Sequence, residues 1–118
     1  MKIIDRKIID ANLMPNKFMI EMMFRCKLEK VYVYNLKHED GAIGAISAYF
    51  NRRDNIIYMM ISKKTTEGIK HIGAVEVKEG QYGIEETILD GDKKVIDTYR
   101  DIIDELSLEI FRKEHTED

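Results

Sequence analysis

The side chains able to carry out chemistry are scattered along this chain. His38, His71 and His115 stand far apart, and none has a second His or Cys at metal-ligand spacing. Cys26 is the single cysteine, so no internal disulfide can form, and it reads as a small apolar residue. Ser47, Ser62 and Ser107 lack the strained Gly-x-Ser-x-Gly turn that exposes a nucleophile. Gly41-Ala42-Ile43-Gly44 has no following Lys-Ser/Thr and is too short to cradle a phosphate; its small residues suit close packing of another element. No catalytic set, metal site or cofactor motif is recognised.

Groups suited to binding are more plentiful. Arg52 and Arg53 have the paired guanidinium geometry that grips phosphate, while Lys63, Lys64, Lys70 and His71 form a second basic cluster. Tyr32, Tyr34, Tyr49 and Tyr58 offer faces for base stacking wherever they are exposed. The segment Ser62-Lys63-Lys64-Thr65-Thr66-Glu67-Gly68 resembles a strand–turn–strand of the stage V sporulation protein G family and of the purine-rich-element-binding repeats. Both families bind nucleic acid, and the likeness covers about fifteen residues of the 118 and is mostly hairpin-turn chemistry. A third candidate is an acidic helix face, with Asp97, Asp101 and Asp104 around Leu108 and Phe111 at its margin, suited to a basic partner.

Positioning these groups requires elements that the sequence marks with unequal clarity. Lys2 to Asp10 reads as a strand, broken at Pro15. Across 17–29, Phe18, Ile20, Met22, Phe24, Cys26 and Leu28 are apolar at a period of two, which predicts a strand. Good helix formers in the same stretch argue the other way. Val31 to Tyr34 extends as strand after a change of parity near Lys30, which predicts a bulge or bend. Turns at 37–41, 51–55, 63–68 and 78–80 separate further strands, as in an antiparallel meander. Asp92 then caps a long amphipathic helix. Its Val95, Ile96, Tyr99, Ile102, Ile103, Leu106 and Ile110 recur at three- and four-residue intervals, with Glu109 and Lys113 paired on the solvent side. His115 to Asp118 are expected to fray.

The whole is an α+β domain: a curved antiparallel β-meander of five to seven strands with a C-terminal amphipathic α-helix packed on one face. A single compact domain spans 1–118, β-rich over 1–89 and helical over about 92–114. A pleckstrin-homology-like order of seven strands and a helix fits the same count. In Ile56 to Ile61 both strand faces are apolar, and one helix covers only one of them. The other face must meet folded-over N-terminal strands, a second subunit or a ligand.

With 118 residues, 44% apolar and 35% charged, the composition excludes disordered and fibrous classes. No apolar run suits a membrane span and no secretory leader is evident, so the expected location is cytoplasmic. Charge is split unevenly. Residues 1–71 carry 13 Lys and Arg against 8 Asp and Glu, a balance of +5, and 72–118 carry 6 against 14, or −8. The favoured reading is a non-enzymatic binding or regulatory module acting as a homo-oligomer, its ligand a protein or a nucleotide-type anion. Single-stranded nucleic-acid binding is a second reading, not favoured at a net charge of −3. An acidic inhibitor of the phage anti-defence type, presenting its C-terminal helix to a basic partner, is a third.

Overall fold

A computed structural model describes residues 1–116. Six strands run in chain order as one open antiparallel sheet: β1 (Lys2–Asp10), β2 (Lys30–Lys37), β3 (Ile43–Asn51), β4 (Ile56–Thr65), β5 (Gly68–Gly80) and β6 (Gly83–Gly91). After β1 come a 3-10 turn (Ala11–Leu13) and helix α1 (Lys17–Phe24). Helices α2 (Lys93–Asp97) and α3 (Arg100–Thr116) close the chain. The α+β meander with a C-terminal helix is thus the fold.

Alternation along the strands sorts side chains to two faces. On one, Tyr32, Tyr34, Leu36, Ile46, Ile57, Met59, Ile61, Val75 and Val77 meet Ile96, Tyr99, Ile103, Leu106 and Ile110 of the C-terminal helices. On the other, Val31, Tyr49, Tyr58 and Met60 meet Ile20 and Phe24 of α1, with Ala11, Cys26 and Leu28. Both faces of β4 are therefore covered from within the chain, and the cover assigned to folded-over strands, a subunit or a ligand is supplied by α1.

This corrects the strand expected over 17–29. Nearly every residue from Phe18 to Phe24 is apolar, so a period of two and a period of 3.6 fit equally well. Pairs four apart decide the matter: Ile20 and Phe24 are both buried, and Lys17 Nζ lies 3.3 Å from Glu21 Oε1. The helix ends at Arg25, held in the left-handed region at φ 54°. Beyond it the Glu21 carboxylate accepts from the Leu28 amide at 2.8 Å. The parity change near Lys30 is this helix exit rather than a bulge.

The C-terminal helix is interrupted. Asp92 caps it as expected, its side chain accepting from the Lys94 amide. The amides of Thr98 and Tyr99 then bond three residues back, to Val95 and Ile96, which tightens the turn and separates α2 from α3. Val95, expected in the buried stripe, is left exposed by that break. His115 and Thr116 complete α3 rather than fraying, and the rest of the expected frayed end lies outside the described residues.

Candidate functional site

The two basic clusters do not meet. Arg52 and Arg53 occupy the β3–β4 turn, whereas Lys63 and Lys64 lie seven residues and more along β4, roughly 20 Å away by strand rise. Lys63 pairs across the ladder with Lys70, and Ser62 with His71. Lys63 Nζ sits 3.4 Å from Asp40, and His71 Nε2 lies 2.8 Å from Asp90. Arg52 Nη2 approaches Glu114 at 3.2 Å. Arg53 donates to the Arg25 carbonyl at 3.4 Å, and Asn51 donates to that of Phe24 at 3.3 Å. The turn arginines thus anchor α3 and close the last turn of α1, whose carbonyls lack helical partners.

The four tyrosines are core rings, not stacking platforms. Tyr32, Tyr34 and Tyr49 are buried, and Tyr58 stacks beneath Phe24 with ring centroids 4.1 Å apart. Tyr32 donates to the buried Glu114, which also meets Lys30 at 3.3 Å. Burial first, then the neighbouring Glu114, pushes the Tyr32 hydroxyl up to about 12. Burial also pushes Glu114 up, but the bond from Tyr32 and the bond and charge of Lys30, joined by Arg52, outweigh it and hold the carboxyl below its usual range. This cluster fastens the end of α3 to β2 and the β3–β4 turn. The signal for it was present in the helical period: Glu114 stands four residues after Ile110 and eleven after Ile103, on the buried stripe.

His38 is similarly structural. Its Nδ1 faces the Ala42 carbonyl at 3.1 Å and its Nε2 faces the Tyr99 hydroxyl at 2.7 Å. A carbonyl can only accept, so Nδ1–H donates to it; in the neutral ring Nε2 is then the acceptor of the tyrosine hydroxyl. A Cβ on Gly44 would lie 2.7 Å from the imidazole Cε1, so the small residue does permit close packing. Among the described residues no three His, Cys, Asp or Glu side chains converge as metal ligands.

The apolar surface is what the geometry leaves unexplained. The side of α1 turned from the sheet presents Phe18 at 77% and Met22 at 79% exposure, flanked by Met19 and Met23 and, from the preceding turn, Leu13. Phe18, Met22 and Arg25 follow one helical stripe at intervals of four and three. Phe18, Met22 and Cys26 line a shallow groove of about 410 Å³, with Glu21, Arg25 and Lys27 on its rim. Glu21 is engaged by the Leu28 amide and Lys17, which hold its carboxyl low against burial. Among the described residues neither Arg25 nor Lys27 forms an ion pair, although the charge of Lys27 is felt by Glu21, so the rim presents two cations outside any salt bridge.

The acidic face is partly as expected. Leu108 stands 55% exposed on α3, with Asp101 and Glu105 exposed beside it and Asp104 half-buried. Asp97 is engaged by Lys93 and Arg100, both at 2.9 Å. Phe111 is buried, edge-on to Phe50, and does not belong to that face. Glu109 pairs with Arg6 at 3.1 Å instead of Lys113.

No family model, curated protein or solved structure matches the chain. Among the described residues no helix is long and apolar enough to cross a membrane.

Proposed function

We propose that this protein is a protein-binding module that works by association, docking its partner on the outer face of α1. The observation behind this reading is the exposure of Phe18 and Met22 at 77% and 79% on a helix whose opposite side is already packed. Isolated exposed hydrophobics are ordinary, but five in one short stretch, rimmed by charge, mark an interaction surface. Methionine suits such a face, since its thioether adapts to the shape of what it meets. A protein ligand is favoured over a nucleotide-type anion because Arg52, Lys63 and His71 are each engaged by a carboxylate.

A photo-crosslinking side chain at position 22, in cells expressing the protein, should yield a discrete protein adduct that Phe18→Glu abolishes. The same probe at Tyr82, fully exposed in the β5–β6 turn, should yield none. Absence of an adduct at position 22 would sink the reading.

A further inference from the structure

Resting on the reading of α1 as a docking face, we propose that its occupant is the outer face of α3 from a second copy of this chain. Leu108 enters the Phe18–Met22 groove, and Asp101 and Glu105 meet Arg25 and Lys27. The two faces are complementary in kind. The groove is apolar with Arg25 and Lys27, two cations in no salt bridge among the described residues, on its rim beside the engaged Glu21. The α3 face is a single apolar knob with acidic neighbours: Glu105 stands three residues before Leu108, Asp104 four and Asp101 seven, all on one helical stripe. Neither Asp101 nor Glu105 has a cation in ion-pair range among the described residues.

A symmetric pairing of α1 with α1 fits less well. It would gather both copies' Arg25 and Lys27 into one patch and leave Leu108 unused, whereas opposite charge across an interface guides encounter and sets register.

Geometry adds a consequence. Because α1 and α3 lie on opposite faces of the sheet, the contact joins different surfaces of the two copies. Such a heterologous contact leaves one α1 face and one α3 face free at the ends, so assembly proceeds head to tail unless a ring closes.

The test is sedimentation equilibrium of the purified chain, Met22→Glu and Leu108→Lys, alone and mixed. The wild type should rise above 13.9 kDa with concentration, without stopping at two copies, and fall back as salt screens the rims. Each variant should lose self-association by at least about ten-fold, the scale of losing a central anchor. Mixed, they should form a two-chain complex, since each keeps the face that the other has lost. Both residues are exposed, so melting temperatures should match the wild type. Wild-type association surviving in Leu108→Lys but not in Met22→Glu would overturn the inference while leaving α1 as the docking face. A wild type at 13.9 kDa throughout the concentration range would also overturn it.

Discussion

Glu86 occupies a place in β6 that alternation reserves for an apolar residue, in line with the half-buried Ile84 and Ile88 that pack on the core. Its side chain is 9% exposed, with Arg100 Nε at 3.8 Å. Burial, then a hydrogen bond with Asp104 and that carboxylate's charge, push Glu86 up to about 7; Arg100 opposes them and Asp97 adds to them. Between the ordinary carboxyl range near 4.5 and 7, the folded chain holds a proton that the unfolded chain has released. Stability therefore falls as pH rises through that window. Glu114 acts in the opposite sense: its stabilisation is present above 4.5 and is lost as pH drops through its lowered folded value. Urea melts across pH should show that Glu86→Gln removes the decline between about 4.5 and 7 and stabilises the protein at pH 8. The gain should be on the order of 1 kcal/mol, below the full equivalent of the displacement because water at the sheet edge screens part of the penalty. No difference between variant and wild type at pH 8 would show that the carboxyl is ionised without penalty.

Among the elements, α1 depends most on its surroundings. Eight residues are too few to hold a helix in water, so it forms because Ile20 and Phe24 are buried against Tyr49 and Tyr58. Ile20→Ala should cost about 2–4 kcal/mol by denaturant melts, the range for truncating a buried isoleucine. It should also raise amide exchange from Lys17 to Phe24 well before the sheet opens. A cost under about 1 kcal/mol would mean that α1 is not held by that side chain. The same dependence explains why the sequence misleads here. Three hairpins were legible because Asp40-Gly41, the Asn51 to Asn55 stretch and Glu67-Gly68 carry turn chemistry that local backbone demands, whereas the turn expected at 78–80 lies at Gln81-Tyr82 and Lys78 to Gly80 belong to β5. The C-terminal helix was legible because polar residues alternate with its apolar stripe. In α1 apolar residues fill both the packed and the outward side, which erases the period. The signal present but outweighed was local: Pro15 ahead of the segment, then Lys17 with Glu21 four residues apart. Phe18 and Met22 became visible as a surface only once Ile20 and Phe24 had been placed beneath them. Leu108 was legible earlier because the helix bearing it was.

At the scale of the molecule, each strand pairs only with its neighbours in the chain, across turns as short as Thr66-Glu67 and Gln81-Tyr82. Contacts from the C-terminal helices break that locality. Arg6 meets Glu109 from 103 residues away, and Tyr32 meets Glu114 from 82. A meander of this kind closes its loops cheaply one hairpin at a time, while docking α3 closes the longest loop at once. The order of events on the refolding path should follow: strands gather before the last helix seats. Stopped-flow chevrons can read this from two buried isoleucines, Ile61 in the sheet and Ile110 in α3. Ile61→Val should slow refolding, whereas Ile110→Val should leave the refolding arm nearly unchanged and speed unfolding. The reverse pattern would place the helix in the nucleus. Under the expected order, a growing chain completes its hairpins while the seventeen residues of α3 are still being added, with the Tyr-and-Ile-lined face of the sheet bare until α3 arrives.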